Sequence, residues 1–218
     1  MKKKLLIVGG IANGEIDMLI FQDINSVTGE WDIAGYLSDI KEPGKYIGKH
    51  IIVGTTDEIE YYVSKGYYIH NSLYFNAKDK ENRVKRFQKL DIPLEANATG
   101  VHPTAIITPD VEIGYGVLIN QYALAQIGCK IRNFVHVYAG SLVGHGSLVD
   151  DYSTVGAHSI VGGRTVLHEG VHVGLNASIR EDITIGKYSI IGMGSVVVKN
   201  VGNYEIVAGN PAKVIKKG

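Results

Sequence analysis

His145 is the side chain of this sequence best suited to chemistry. It stands third in the hexapeptide VGHGSL (143–148), outside the aliphatic positions, so we expect its ring to point outward. Histidine titrates near neutral pH and can therefore take a proton from a reacting group. Gly163 follows eighteen residues later, and glycine lets a ligand approach the backbone closely. The alternative is that Gly162 and Gly163 only turn a corner.

A six-residue repeat must position both residues. Every sixth residue from Val101 to Val197 is Val, Ile or Leu, except Ala125, and a second series, mostly small or β-branched, follows four places after each. A helix would need a period of 3.6, whereas a period of six predicts very short strands joined by tight corners and stacked as a solenoid. Three hexapeptides make one triangular coil, and neighbouring coils lie about 4.8 Å apart. The repeat predicts a parallel β-helix and does not set its hand.

Residues eighteen apart stack in adjacent coils of such a solenoid. His145 therefore lies beneath Gly163, while His136, Thr154 and His172 form a second column. The two histidines of this column are two coils, or roughly 9.6 Å, apart. That separation is too large for one chain to hold a metal between them.

A zinc site shared between chains, to which His145, His158 or His168 contributes, is an alternative. No matching pattern for a third ligand accompanies them. We therefore expect no metal.

Residues 1–95 follow a different pattern, in which strands and helices alternate. Strands are predicted at LLIVGG (5–10), 32–39, 50–54 and 66–70, and helices at 14–23, 56–64 and 79–90. This alternation indicates a small Rossmann-like parallel α/β sheet. We predict an α/β domain over 1–95 and a β-helix domain with a C-terminal tail over 96–218.

A glycine-rich loop follows the first strand. In VGGIANGE, the residues Gly9, Gly10 and Gly14 lie between a strand and a helix, where backbone N–H groups and a helix N-terminus can bind phosphate. The spacing departs from the dinucleotide fingerprint, and a tight turn with a helix cap is the alternative. Gly54 ends another strand and would close the same cleft.

Composition argues against nucleic-acid and membrane partners. The net charge is zero and the pI about 7.1, which gives no indication of nucleic-acid or membrane-surface binding. No apolar run approaches the ~18 residues of a membrane span. The single cysteine, Cys129, excludes an internal disulfide and fits a reducing cytoplasm. It occupies an inward position, so we expect a core residue and no covalent intermediate.

Several motifs together resemble the bacterial sugar acyltransferases. They are the strand–glycine turn–helix unit, the junction GVHPTAIITPDVEIG (100–114) and the terminal VAGNPAKVIKK (207–217). The family includes UDP-4-amino-sugar N-acetyltransferases of bacillosamine-type pathways, perosamine N-acetyltransferases and relatives of sialic acid O-acetyltransferases. The resemblance covers essentially the whole chain. It implies a left-handed β-helix, homotrimers with active sites between subunits, acetyl-CoA as donor and a nucleotide-linked sugar as acceptor.

The resemblance also implies roles for particular residues. His145 aligns with the general base, and Gly163 with the glycine whose N–H faces the thioester carbonyl. The resemblance places Thr154, His136, His172 and Gly174 near the acceptor and acetyl-CoA. It assigns nucleotide binding to Gly9, Gly10, Gly14, Asp39 and Gly54, with Asp39 binding a uridine or ribose hydroxyl. Lys213 and Lys216 would attract the CoA phosphates.

Two positions depart from the family pattern. Gly146 stands where an acidic residue usually orients the histidine, and Asp150 and Asp151 are the nearest carboxylates in sequence. Thr154 stands where a second histidine is usual. Because a hydroxyl depends more on a well-oriented base than an amine does, Gly146 favours N-acetylation. An O-acetyltransferase of the sialic acid type and a non-catalytic nucleotide-sugar-binding scaffold are the alternatives.

Overall fold

The computed structural model describes residues 2–73 and 79–217. The chain divides into two compact units, Met1–Pro103 and Thr104–Gly218, so residues 96–103 belong to the first unit. A parallel bridge between Ile69 and Asn97 ties this stretch to the first unit's sheet. None of the helices in the described ranges is long and apolar enough to cross a membrane.

The first unit alternates strands and helices as the sequence predicts. Its elements are β1 (Lys3–Val8), α1 (Asn13–Thr28), β2 (Trp31–Leu37), β3 (Tyr46–Ile47), β4 (His50–Gly54), a 3-10 turn (Thr56–Glu58), α2 (Ile59–Ser64), β5 (Tyr68–Asn71), α3 (Lys80–Phe87), a second 3-10 turn (Leu94–Ala96) and β6 (Gly100–Val101).

The sheet of the first unit is mixed rather than purely parallel. Its strand order is β3-β4-β2-β1-β5, and the pairs from β4 to β5 are parallel. Strand β3 was not predicted and runs antiparallel to β4, with Tyr46 opposite Ile51. Gly48 has a φ of 55°, and such a positive φ is what a tight two-residue turn between antiparallel strands requires.

Helix α1 extends five residues beyond its predicted end at Asp23. It stops at Gly29, which adopts a left-handed φ of 64° and donates its N–H to the carbonyl of Asn25, the usual way for a glycine to end a helix. Met18, Ile20, Phe21 and Ile24 are buried. The helix therefore covers one face of the sheet and places its N-terminus beside the glycine loop.

The second unit consists of two-residue strands that recur every six residues. They are β7 (Ile106–Ile107), β8 (Glu112–Ile113), β9 (Leu118–Ile119), β10 (Leu124–Ala125), β11 (Lys130–Ile131), β12 (His136–Val137), β13 (Leu142–Val143), β14 (Leu148–Val149), β15 (Thr154–Val155), β16 (Ile160–Val161), β17 (Val166–Leu167), β18 (His172–Val173), β19 (Ser178–Ile179), β20 (Thr184–Ile185), β21 (Ile190–Ile191) and β22 (Val196–Val197), followed by β23 (Glu205–Gly209) and β24 (Ala212–Lys217).

Successive strands lie on three parallel sheets in rotation. The first sheet contains β7, β10, β13, β16, β19 and β22, the second β8, β11, β14, β17 and β20, and the third β9, β12, β15, β18, β21, β23 and β24. Up to β22, each strand pairs in parallel with the strand eighteen residues away, as Leu142 does with Ile160. Strand β23 pairs with β21 at a spacing of sixteen, and β24 runs antiparallel to β23. From Val117 to Val197 both repeat series are buried. The prediction of a parallel β-helix is confirmed, and its core is the pair of repeat series.

Candidate active site

His145 lies at the corner between β13 on the first sheet and β14 on the second. Its backbone is held by both neighbouring coils, because its N–H donates to Oε1 of Gln126 at 3.1 Å and its carbonyl accepts from the N–H of Arg164 at 2.8 Å. The side chain is exposed. The repeat therefore directs the ring outward, as predicted.

Gly163 lies directly against the ring of His145 in the next coil. A β-carbon on Gly163 would stand 2.7 Å from Nδ1 and 2.8 Å from Nε2 of the imidazole. Tyr115 and Asn133 occupy the same position of the six-residue repeat as Gly163, and their N–H groups donate to side chains of the following coil. The N–H of Gly163 donates to no group within residues 2–73 and 79–217. Gly163 is itself buried against the ring, so this N–H is an unused donor that a ligand oxygen entering beside His145 could accept from.

Arg164 is a residue of this corner that the sequence analysis missed. Its Nη1 lies 2.7 Å from Nε2 of His145. Its Nε and Nη2 donate to the two carboxylate oxygens of Asp182 at 2.6 and 2.7 Å. These hydrogen bonds lower the pKa of Asp182 below its ordinary value, with smaller contributions from the charges of Arg164, Arg180 and His145. An ion pair therefore stands beside the candidate base.

Gly146, Arg164 and Asp182 form one column at this corner. They are spaced by eighteen, and a β-carbon on Gly146 would lie 3.5 Å from Cγ of Arg164. The spacing rule could have found this column, had it been extended from Gly146. Position 146 has no carboxylate, but Asp182, two coils further on, is connected to His145 through its hydrogen bonds with Arg164.

Asp150 and Asp151 do not orient His145. Oδ1 of Asp151 accepts the N–H of Asn133 at 2.8 Å, and Oδ1 of Asp150 accepts the N–H of Asp151 at 3.0 Å. Burial raises the pKa of Asp151. Both residues follow β14 and so lie at the next corner of the coil, away from His145.

The second predicted column lies on the third sheet. His136 pairs with Thr154, and Thr154 with His172, in adjacent strands, so the predicted stacking is confirmed. Nε2 of His136 lies 3.1 Å from Oδ1 of Asn120, and its ring stacks on Tyr138 at 4.1 Å. Thr154 is buried between the two histidines.

One chain does not bring this column together with His145. The histidine occupies the corner between the first two sheets, and in a three-sided coil that corner is opposite the third sheet. Gly174 immediately follows β18 and so also belongs to the third sheet, where a β-carbon would lie 2.6 Å from the N of Met193. A site that contains both groups therefore needs residues from two chains.

The predicted nucleotide residues meet at the carboxyl ends of β1, β2 and β4. Gly9 has a φ of 138°, and its N–H donates to the carbonyl of Leu37. A β-carbon on Gly10 would collide with Ile40, and one on Gly14 would lie 3.6 Å from the ring of Tyr36. Packing against Ile40 is therefore a sufficient reason for glycine at position 10. The loop itself leads into the first turn of α1.

Charged side chains already occupy part of this edge. Oδ1 of Asp39 accepts the N–H of Thr56 at 2.9 Å, and Oδ2 accepts its hydroxyl at 2.5 Å. The N–H of Ala12, before α1, donates to Oε2 of Glu15 at 3.2 Å. Gly54 accepts the N–H of Ser38 through its carbonyl. Asp39 therefore caps the turn after β4, and only its remaining lone pairs face outward.

A cavity of about 530 Å³ opens beside Asp39. Arg83 and Arg86 of α3 line it, and sequence reasoning did not select them because a helix carrying several charges resembles any solvated helix. Nη1 of Arg83 donates to the carbonyl of Leu73 at 2.8 Å. The lining residues are Asp39, Thr56, Asp57, Ile59, Leu73, Arg83, Arg86, Phe87 and Leu90. Both arginines also lie 3.4–3.6 Å from the carboxylate of Asp79, so a phosphorylated ligand bound here would share them with that residue.

Lys213 and Lys216 are exposed on β24, the antiparallel strand that closes the unit, opposite Ala208 and Ile206. A second pair of cations lies nearer His145. Arg180 and Lys199 line an open depression of about 630 Å³ together with Asp182. The sequence analysis did not single out this pair.

Residues that could hold a metal do not cluster in the described ranges. No group of three or more His, Cys, Asp or Glu side chains there is placed to bind one ion. Cys129 is buried, and burial raises the pKa of its thiol to about 11.

No known protein-family profile matches the sequence. No curated protein sequence matches it either. Solved structures do share its fold. The acetyltransferase domain of PglB from Neisseria gonorrhoeae FA1090 is 24% identical, with a TM-score of 0.84 over 98% of this chain and 100% of that one, and it has also been solved with acetyl coenzyme A.

Two further structures match at similar coverage. PerB from Caulobacter crescentus, solved with CoA and GDP-perosamine, is 19% identical with a TM-score of 0.81 over 98% of this chain and 97% of that one. WeeI from Acinetobacter baumannii AYE is 22% identical with a TM-score of 0.79 over 98% and 100%. The chain therefore has the fold of these proteins across both of its units.

Proposed function

We propose that this protein is an acetyl-CoA-dependent N-acetyltransferase that acts on the amino group of a nucleotide-linked sugar. The observation that carries the proposal is the pairing of an exposed His145 with the N–H of Gly163, which donates to no group in the described residues. It supports acyl transfer because that reaction needs a proton acceptor and an oxyanion donor side by side. The fold shared with PglB and PerB supports the same reaction class.

In the proposed reaction the acceptor nitrogen attacks the thioester carbonyl carbon of acetyl-CoA. The N–H of Gly163 donates to the oxygen of the tetrahedral intermediate, and His145 takes the proton that the nitrogen loses. The C–S bond then breaks, and the CoA sulfur leaves with the shared electrons and takes the proton from His145, which returns the histidine to its neutral form. No covalent enzyme intermediate is needed, in keeping with the buried position of Cys129.

We further propose a left-handed β-helix that assembles as a cytoplasmic homotrimer. Thr154, His136, His172 and Gly174 then reach the acetyl-CoA or the acceptor of a neighbouring subunit. Their place on the sheet opposite the His145 corner supports this arrangement, because one chain alone separates the two groups. Light scattering of the purified protein should give three times 23.7 kDa, and a monomeric active enzyme would refute the shared site.

The first unit is the proposed nucleotide-binding domain. Gly9, Gly10, Gly14, Asp39 and Gly54 lie at one edge of its sheet, and the cavity lined by Arg83 and Arg86 adjoins Asp39. Replacing Asp39 with Asn should raise KM for the sugar nucleotide and leave KM for acetyl-CoA unchanged. An equal rise in both would show that the capping bonds to Thr56, rather than the ligand, depend on the carboxylate.

The CoA phosphates have two candidate positions, which one experiment separates. The first is the pair Lys213 and Lys216, and the second is the pair Arg180 and Lys199 in the depression beside Asp182. KM for acetyl-CoA and for acetyl-3′-dephospho-CoA would be compared in two double variants, each with Gln at one pair. The pair that binds the 3′-phosphate is the one whose loss makes the two donors equivalent.

The reaction is tested by thiol release from acetyl-CoA against UDP-, GDP- and dTDP-linked 4-amino sugars, with free sialic acid included. We expect turnover on one of the amino sugars and its loss in His145→Asn. Activity on sialic acid alone would make the protein an O-acetyltransferase. Binding of a sugar nucleotide without turnover on any acceptor would favour the non-catalytic scaffold.

A further inference from the structure

The guanidinium of Arg164 contacts the ring nitrogen that a general base uses. Nη1 of Arg164 and Nε2 of His145 are 2.7 Å apart, a hydrogen-bonding distance. An arginine side chain has five donors and no acceptor. Nε2 must therefore present its lone pair to Arg164, and the proton of the neutral ring must be on Nδ1.

Asp182 fixes the guanidinium in this position. Both of its carboxylate oxygens accept hydrogen bonds from Arg164, at 2.6 and 2.7 Å, which is the bidentate geometry that orients an arginine best. Gly146 leaves the space in front of Arg164 open, because it has no side chain near Cγ. The contact is thus built from three coils, with the acid in the last of them.

We propose that Arg164, oriented by Asp182, is a positioning residue that selects the Nδ1–H tautomer of His145. The partner of one ring nitrogen sets which nitrogen holds the proton. A carboxylate that accepts a hydrogen bond from Nδ1–H would select the same tautomer from the other side of the ring. Arg164 and Asp182 therefore supply what Gly146 lacks. The catalytic consequence rests on the proposed function, whereas the tautomer does not.

The proposal has a direct consequence for the reaction. Nε2 can take a proton from the acceptor only after Nη1 of Arg164 has left it. The imidazolium that forms is then close to a guanidinium, and the carboxylate of Asp182 offsets the repulsion between the two cations. Both members of the ion pair should therefore affect the rate of transfer rather than the binding of the sugar nucleotide.

Nitrogen NMR of the full-length, 15N-histidine-labelled protein tests the tautomer without any substrate. His145→Asn assigns the signal. We expect an unprotonated Nε2 and a protonated Nδ1 in the unaltered protein, and a shift of the proton toward Nε2 in Arg164→Gln. His158, an exposed histidine at another corner, is the internal reference and should not change. Unchanged His145 shifts in Arg164→Gln would overturn the proposal.

Lys130→Gln is the matched control variant. Lys130 and Glu112 also form an exposed ion pair between residues eighteen apart, 2.8 Å in length, but with no histidine. This variant should leave both the His145 signals and turnover as they are. A change in the His145 signals equal to that in Arg164→Gln would overturn the specific role of Arg164.

Kinetics test the positioning role. Arg164→Gln and Asp182→Asn should each lower kcat by about 10- to 100-fold, the range found when the partner that orients a metal-ligating histidine is removed, with KM for the sugar nucleotide unchanged. Arg164→Lys keeps the positive charge that Arg164→Gln removes and should retain more activity than Arg164→Gln. A shifted tautomer with undiminished kcat would refute the positioning role. The expected tautomer in a protein without activity would refute the proposed function and uphold the tautomer.

Discussion

The contact between Gly163 and His145 predicts that one added methyl group, in Gly163→Ala, will lower the rate of acetyl transfer. In Gly163→Ala, the added β-carbon would stand 2.7 Å from Nδ1 of His145. Ordinary contact distances are about 3.5–4.0 Å, so the ring must move by roughly 1 Å. A displacement of 1 Å can cost about 100-fold in rate. We expect that loss in kcat, measured as thiol release from acetyl-CoA.

The same substitution should hardly affect stability. The ring is exposed and can move into solvent, and Gly163 does not adopt a positive φ, so alanine fits its backbone. Gly163 is buried, but the three atoms nearest the added methyl group all belong to this movable ring. We therefore expect the free energy of unfolding to change by no more than about 0.5 kcal/mol. Urea denaturation followed by circular dichroism measures this change.

Gly144→Ala is the matched control, because there the methyl group meets backbone instead of a side chain. Its β-carbon would lie 2.6 Å from the N of Gly163 and 2.7 Å from the carbonyl oxygen of Val161. Neither atom can move away, so the variant should lose about 1–3 kcal/mol, the usual cost of overpacking. Near-normal turnover in Gly163→Ala, or equal destabilisation of the two variants, would refute this reasoning.

Three further predictions concern the cores and their buried groups. Leu167 is fully buried in the β-helix, so Leu167→Ala should lower the free energy of unfolding by about 2–5 kcal/mol in urea denaturation. Burial raises the pKa of the Cys129 thiol to about 11, so Ellman's reagent at pH 8 should label the protein only after unfolding. Burial lowers the pKa of Lys80 to about 7. Because its unfolded pKa is about 10.4, the unfolded chain binds more protons between these values, and stability should rise with pH across that window.

Each of these predictions has a control. Val166→Ala changes the half-buried neighbour of Leu167 and should cost less. Rapid labelling of Cys129 in the native protein would contradict its buried position. For Lys80, the fluorescence of Trp31, the single tryptophan, reports on the first unit. The Lys80→Met variant should lose the rise in stability between pH 7 and pH 10, and an unaltered rise would assign it to another group.

The β-helix was predictable because its information is local and periodic. A large aliphatic residue and a small one recur in each hexapeptide, so the side-chain pattern of one coil predicts the next. Strand positions, the eighteen-residue stacking and the placement of His145 beside Gly163 all follow from this period. The elements of the first unit were predicted less well at their ends. Strand β3 was missed, because two residues carry too little pattern to be recognised.

The repeat alone predicts which residues stack, and therefore that His145 and Gly163 meet. What the ring of His145 contacts is visible only in the folded chain. Arg164 and Asp182 are charged side chains at exposed corners, where the repeat imposes no residue type and side-chain direction depends on neighbours in the adjacent coils. The structure also separated His145 from the column of His136, Thr154 and His172, because a corner and the opposite sheet of one coil cannot meet. The six-residue period specifies which residues stack in neighbouring coils, whereas side-chain hydrogen bonds between coils specify the geometry around His145.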